Sequence, residues 1–534
     1  MHLNGGGAHN RSKTIRILKR KGLKFALAYN ARKKKRVFKQ TSFYQHFFQK
    51  LEMFYIIFVS HMPHKFHIYK ILKRFHILTT HTPTLVFISQ HYEEIISWIE
   101  SKEFKEQYID KNHPYPPLLN PERLNVRVQS CHYNKENNKE SQCKESQGNE
   151  SMVSKNIKPY DNLSYQNISP EIAWDLNVPL PQSDMVKFES HGVGSIFSNF
   201  IQKLGISIIM LPDNLFCVIK VYKILYNALN NGARVLLIRD YLPAMNQNAK
   251  KLHFLIQKPR IMILNQVRDP ISMLKHYVGV KRRPEKALTS FNLGHNPKEI
   301  VSSLVRYSGG YLYPSVKEIP FWVSFTYMCF HDGMLFKEMI NLTAEKVKFM
   351  DMPEIVGERT IPTLCKFAKI FNVPPPKEED REFFLAKNTD FGGLLPLVMY
   401  VYDKSCDKKI TIYIIKKFYI NELVDISIEM LGALKHDTIC IGIQRENLEY
   451  LRANGELYTQ TKSYLQELIQ ELISQNEREK LKKFSEKDVL EFMEKNPKIR
   501  QKFKSILDEH LSLIKQERPD IIESWKYYQE FERM

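Results

Sequence analysis

Val186-Lys-Phe-Glu-Ser-His-Gly-Val-Gly-Ser-Ile-Phe-Ser-Asn-Phe200 reads as a short apolar strand that runs through a glycine-bearing loop into a helix. On the helical side, Ile196, Phe200, Ile201 and Leu204 recur at the spacing of one helix face. The loop between is His191, Gly192, Val193, Gly194 and Ser195. Backbone N–H groups at a helix start have no intrahelical partner, and the helix dipole favours an anion there. Glycine lets the backbone come close to such an anion. The stretch therefore has two readings, a phosphate-binding turn or an ordinary strand–turn–helix, and the surrounding chain has to decide between them.

Outward from this stretch, apolar strands alternate with helical segments. Ser207–Leu211 reads as a strand and Asn214–Asn230 as a helix. Arg234–Tyr241 is a strand followed by a helix to about Gln257, and Arg260–Val267 is the next strand. A helix follows Pro270, where proline suits a first-turn position because its missing N–H is harmless. Lys346–Met350 is a late strand, and Glu358–Phe371 a helix with Ile361, Leu364, Cys365, Ala368 and Phe371 on one face. This alternation predicts an α/β domain over residues 160–400, with a mostly parallel sheet flanked by helices. Ligands of such sheets lie beyond the carboxyl ends of the strands, so the loops after Ser190, Arg239 and Val267 are expected to meet.

The flanks differ in composition. Of the 79 Lys and Arg residues, 18 fall within residues 1–80 against Glu52 alone, leaving 61 basic and 57 acidic residues to the rest. The body is thus near neutral, and the net charge of +21 belongs largely to one end. Residues 1–90 read as a basic, aromatic-rich arm, with Arg16–Lys21 and Arg32–Arg36 as its densest clusters. Its basic part, residues 1–75, suits an anionic membrane surface. A solvated arm with no partner is the alternative, and nucleic acid is disfavoured because no recognisable nucleic-acid module accompanies the charge. Residues 91–128 form a short helical and Pro-rich segment, with a helix over 92–110 stopped by His113-Pro-Tyr-Pro-Pro117. Residues 129–159 are a polar, low-complexity linker, and 401–534 are expected to be mainly helical, with a stripe at Leu465, Leu468, Ile469, Leu472 and Ile473. Seven scattered cysteines, an odd number without a CxxC pair, point to a reducing compartment. No apolar run approaches the roughly 18 residues of a membrane span. The expected location is cytoplasmic, with the arm able to hold the protein peripherally at the inner face of the membrane.

Three strand-end segments carry the chemistry: His191-Gly-Val-Gly-Ser195, Arg239-Asp-Tyr-Leu-Pro243 and Gln266-Val-Arg-Asp-Pro270. In this order they resemble the sulfotransferase branch of the P-loop fold. A later stretch, Lys348-Phe-Met-Asp-Met-Pro-Glu-Ile355 with Leu364-Cys-Lys-Phe-Ala-Lys-Ile-Phe371, is similar to another segment of that family. The resemblance spans about residues 185–375. It implies that Gly192, Gly194 and Ser195 cradle a donor phosphate and that Arg268 binds a second phosphate. Arg239 stands where the family has a lysine, and would neutralise charge on the transferred group. His276 stands where the family has a serine. The loop also lacks the Lys or Arg that usually precedes its Gly-Ser/Thr pair. His191, Asp240 and His276 are the candidate bases toward an acceptor hydroxyl. Structural alternatives are an Arg268–Asp269 pair and a packed His276.

Residues 92–400 also resemble an uncharacterised bacterial family, some members of which are labelled putative sugar transferase in surface-polysaccharide settings. The carrying residues are His113-Pro-Tyr-Pro-Pro-Leu-Leu119, Ile168–Pro181 and Ser190-His-Gly-Val-Gly-Ser195. Together the two resemblances imply a group transferase acting on a glycan or another small-molecule acceptor. Its donor would be a nucleotide, either 3′-phosphoadenosine 5′-phosphosulfate or a nucleotide sugar. No Asp-x-Asp pair or metal-ligand spacing occurs, so no metal is assigned. The non-enzyme alternative is a nucleotide-binding or scaffold protein of the cell-envelope glycan machinery.

Overall fold

The computed structural model of the protein describes residues 53, 57, 63–77, 79–125, 160–211, 217–239, 247–325, 347–385, 391–403, 405–417 and 422–534. The basic clusters of the arm and the polar linker over 129–159 lie outside these residues. The chain divides into two compact units, one of residues 1–181, 218–230 and 251–256, the other of 182–217, 231–250 and 257–534.

The first unit is helical among its described residues. The helix expected over 92–110 is broken into Tyr92–Ile99, a turn capped by the Ser101 hydroxyl, and a π-helical turn at Lys105–Ile109. The Pro-rich segment after it is held by side chains. Trp98 Nε1 donates to the Pro117 carbonyl at 3.0 Å and Asn177 Nδ2 to that of Pro116 at 3.1 Å. Buried carbonyls need such donors, because prolines supply no N–H of their own for a regular ladder. Within the helix Val218–Asn230, Tyr222 and Tyr226 bury their rings and donate to the carbonyls of Val178, Tyr165 and Ile168.

The second unit contains the strands β1 Met185–Glu189, β2 Ile208–Leu211, β3 Val235–Arg239, β4 Met262–Val267, β5 Ser290–Asn292, β6 Val347–Asp351, β7 Leu397–Asp403, β8 Lys408–Lys416, β9 Val424–Asp425 and β10 Ile439–Ile443. Five form an all-parallel sheet in the order β2-β3-β1-β4-β6. β1 is central and buried along its whole length. Helices α1 Ile196–Lys203 and α2 Pro270–Gly279 follow β1 and β4 directly. Phe197, Phe200 and Ile201 of α1 share a core with Met185, Val235 and Leu264 of the sheet and with Leu364, Phe367 and Phe371. Each such side chain contributes about 1.5–3 kcal/mol on burial. The α/β architecture expected for residues 160–400 is therefore present.

The region after 400 departs from its expected helical character at its start. β7, β8, β9 and β10 join β5 in a second, mixed sheet ordered β5-β7-β8-β10-β9. Burial alternates along β7 and most of β8, which puts Leu397, Met399, Val401, Ile410, Ile412 and Ile414 on one buried face. Helix α3, Gly455–Leu481, lays Leu465, Leu468, Ile469 and Leu472 into that core. From Arg445 onward the chain is helical. Helix α4, Glu486–Lys495, begins at a capping box formed by Ser485 and Asp488. The last helix, α5 Lys526–Glu532, follows a short helix, Pro519–Ser524, that starts at Pro519. Among the described residues no helix is long and apolar enough to cross a membrane.

Candidate functional site

Parallel register sets the site. Glu189 pairs with Arg239 on one side and with Gln266 on the other, while Val267 pairs with Asp351. The loops after β1, β3 and β4 therefore leave one edge of the sheet at the same level. β1 lies where the strand order reverses, with β3 and β2 to one side and β4 and β6 to the other, which is the position at which α/β sheets take ligands.

The loop after β1 turns on two glycines in the left-handed region, Gly192 at φ +86° and Gly194 at φ +97°. Neither could carry a side chain without displacement. A Cβ on Gly192 would stand 2.7 Å from His276 Cδ2, and one on Gly194 3.0 Å from Ile355 Cδ1 and 3.2 Å from Gln266 Nε2. Three successive carbonyls are drawn toward the β4 side. Arg268 Nη1 donates to the Gly192 oxygen at 2.7 Å, and Gln266 Nε2 donates to those of Val193 at 2.6 Å and Gly194 at 2.8 Å. In a planar trans peptide the N–H points opposite to the C=O. The N–H groups of Gly194 and Ser195 are thereby turned away from β4. No acceptor among the described residues takes them, nor those of Gly192 and Ile196. The flanking side chains His191 and Ser195 are exposed, and Ser195 does not cap the helix with its own hydroxyl. A run of unpaired N–H groups at an open turn before a helix is an anion-binding concavity.

Beneath the loop lies a charged cluster that the apolar reading of β1 overlooks. Lys187 and Glu189 are two residues apart, hence on one face of the strand, and both side chains are fully buried. Lys187 Nζ contacts Glu189 Oε2 directly, and both bond the Ser198 hydroxyl of α1 at 3.0 Å. Arg239 reaches the other oxygen, Glu189 Oε1, through Nε at 2.7 Å and Nη2 at 2.5 Å. Burial works against the Glu189 charge, but Lys187 and Arg239 outweigh it and hold the carboxyl below its ordinary pKa. Burial pulls the Lys187 ammonium down, against the opposing influence of Glu189. With all three groups ionised, two cations share one anion and the cluster keeps one positive charge. The sequence signal for it is two charges at i and i+2 within a strand otherwise apolar.

The remaining expected residues fall as follows. Arg268 is partly buried and fastens the loop through Gly192. Asp269 does not appear as its ion-pair partner. One Asp269 oxygen caps α2 through Ile271 N and Ser272 N, and the other accepts from Tyr527 N at 3.1 Å and Tyr528 N at 3.2 Å of α5. His276 packs against Gly192, and burial, reinforced by Arg268, His191, Lys275 and Arg282, pushes its imidazole down to about 4. It is therefore neutral near pH 7. Arg268, Lys275 and His276 line a small cavity of about 140 Å³ with Gly279, Pro314 and Lys482. Lys275 pairs with Glu486 at 3.4 Å, so α4 caps one side of this region. Asp240 lies outside the described residues. The structure thus brings together His191, Gly192, Gly194, Ser195, Arg239, Arg268 and His276 at one sheet edge, and adds Lys187, Glu189 and Gln266.

No curated protein and no solved structure matches the chain. The resemblance to an uncharacterised family was expected over residues 92–400, and the loop, Arg239, Arg268 and His276 all lie outside the residues that a family model does match. Residues 349–534, from within β6 through the second sheet's last strands to the end of α5, match the family described as "Protein of unknown function (DUF2972)".

Proposed function

We propose that the Ser190–Ser195 loop binds a phosphate of a nucleotide donor, and that the protein is a group transferase of sulfotransferase-like P-loop architecture. The observation that carries this reading is the set of loop N–H groups left without acceptors while Arg268 and Gln266 hold the intervening carbonyls. The parallel sheet with β1 at its point of reversal supports it. So does the Lys187–Glu189–Arg239 cluster beneath the loop, which carries one positive charge when all three groups are ionised. The donor is 3′-phosphoadenosine 5′-phosphosulfate or a nucleotide sugar, and the acceptor is a hydroxyl of a glycan or surface-polysaccharide precursor. Catalysis in this reading rests on positioning and on fixed donors aimed at developing charge. His191, exposed on the loop, is the base candidate; buried, neutral His276 shapes the loop instead. Localisation at the cytoplasmic face of the membrane through residues 1–75 belongs to the same proposal.

One observation favours a second reading, a nucleotide-binding protein without a chemical step. Arg239, the cation meant for the transferred group, is already paired with Glu189. Titration with adenosine 3′,5′-bisphosphate and with a panel of nucleotide sugars tests the donor in either reading. Absence of binding by all of them at millimolar concentration rejects both. Binding without turnover on any glycan acceptor favours the second.

A further inference from the structure

A second part of the same unit gathers more positive than negative charge. Arg282 and Arg306 form an isolated antiparallel bridge, with Arg282 N donating to Arg306 O at 2.7 Å and Arg306 N to Arg282 O at 2.9 Å. Like charges directly opposite one another across such a pair are destabilising. Arg283 adds a third guanidinium. Among the described residues none of the three has a carboxylate within ion-pair distance, although the unit is rich in Asp and Glu. All three line a cavity of about 480 Å³ with Tyr307, Ser308, Gly309, Gly310, Glu318 and Trp322.

Each arginine is held in place by contacts that leave most of its donors unused. The Arg282 guanidinium lies 4.7 Å above the Trp322 ring, whose other stacking partner is Tyr277 at 5.1 Å. Arg283 donates through Nε to the Gly393 carbonyl at 2.8 Å, while its Nη2 is buried with no partner. Arg306 uses Nη1 alone, on the carbonyls of Ser302 and Val305. A buried, unpaired guanidinium nitrogen costs free energy unless something accepts from it. Glu318, the one acid among the described residues that line the cavity, is tied to the Ser308 hydroxyl at 2.8 Å and lies against Gly309. The described lining therefore carries three cations and one anion.

We propose that this cavity is a binding site for a small organic phosphate carrying at least two negative charges, a phosphate monoester or a diphosphate. Planar guanidinium forks match the oxygens of phosphate and donate to them two at a time. The volume falls in the range of about 300–1,000 Å³ typical of small-molecule sites, far more than a bare oxyanion fills. A sulfate ester has similar oxygens but a single charge, so a site with a net surplus of two cations prefers the phosphate. Glu318 faces the uncharged part of the ligand, where it accepts from a hydroxyl. The site shares no residue with the Ser190–Ser195 loop and stands whether or not that loop binds a nucleotide.

Isothermal titration of the full chain with inorganic pyrophosphate as the probe, and sodium methyl sulfate, a singly charged sulfate ester, at matched ionic strength as the control, tests the proposal. The expected result is a pyrophosphate binding event that Arg283→Gln and Arg306→Gln each weaken at least tenfold, with methyl sulfate at least tenfold weaker. Ligand-free melting temperatures of both arginine variants, read beside that of the wild type, guard against a folding artefact. If either arginine variant melts lower, the comparison rests on the wild type alone, whose melting temperature pyrophosphate must raise and methyl sulfate must not. No pyrophosphate binding at millimolar concentration, equal affinity for methyl sulfate, or undiminished affinity in both arginine variants would each overturn it.

Discussion

Arg268 Nη1 sits 2.7 Å from the carbonyl oxygen of Gly192, so the arginine at the end of β4 fastens the loop at the end of β1. One bond thus links two segments that the sequence separates by more than 70 residues. It gives Arg268 a positioning role whether or not the rest of its fork reaches a ligand. Arg268→Gln is expected to cost about 1.5–3 kcal/mol, the range for a hydrogen bond to a charged group. Urea denaturation measures the loss, and Arg268→Lys should recover only part of it because an ammonium lacks the fork geometry.

Gly194 is the tightest constraint on the loop. Alanine there meets both a left-handed φ of +97° and contacts at 3.0–3.2 Å. The expected destabilisation is about 1–3 kcal/mol. Loss of ligand binding at the loop should exceed what that destabilisation alone explains. Thermal melts beside a ligand titration separate the two effects. Unimpaired binding in Gly194→Ala would remove the loop from the site.

Glu189 carries two cations. Glu189→Gln leaves the fully buried Lys187 and the partly buried Arg239 without their shared anion, and should cost about 3–5 kcal/mol. Lys187→Met should be milder, because Glu189 keeps Arg239. Adding Lys187→Met to Glu189→Gln should restore part of the loss, and equilibrium unfolding of the two single variants and the double variant completes the cycle.

His276 makes the second unit sensitive to acid. Its folded-state pKa of about 4 lies below the ordinary 6.5, so the unfolded chain binds more protons between these values. Stability from this group is fully present above pH 6.5 and is lost as pH falls toward 4. The size is about 3 kcal/mol at most. Asp351 acts in the opposite sense: burial pushes its carboxyl up to about 6, so protonation below pH 6 favours the folded state. Comparing wild type with His276→Asn isolates the histidine. The variant should lose less stability between pH 6.5 and 4, and parallel curves would contradict the assignment.

Much of the parallel sheet was legible because strands and helices alternate in apolar pattern, and because Pro270 marks a helix start by local chemistry alone. The alternation could not reveal the Lys187–Glu189–Arg239 cluster. Two charges in an apolar strand become a buried network only once Ser198 and Arg239 are brought to the same face, which is a tertiary event. The second sheet was within reach. Leu397–Asp403 and Lys408–Lys416 alternate with a period of two, but Ile410–Ile415 weighed only by its length is a short apolar run, and the strong helical pattern after Arg445 dominates the region. The direction of the loop carbonyls is not a sequence property at all. It depends on Gln266 and Arg268 arriving from β4, three strands later in the chain.

The central claim is that the loop after β1 is a phosphate site. Titration of the full chain with adenosine 3′,5′-bisphosphate, followed by amide NMR resonances of Gly192, Gly194 and Ser195, tests it most directly. The account predicts saturable shifts of these amides that Gly194→Ala abolishes while Arg283→Gln leaves them unchanged. Unmoved loop amides at millimolar ligand, with nucleotide sugars equally silent, would contradict it.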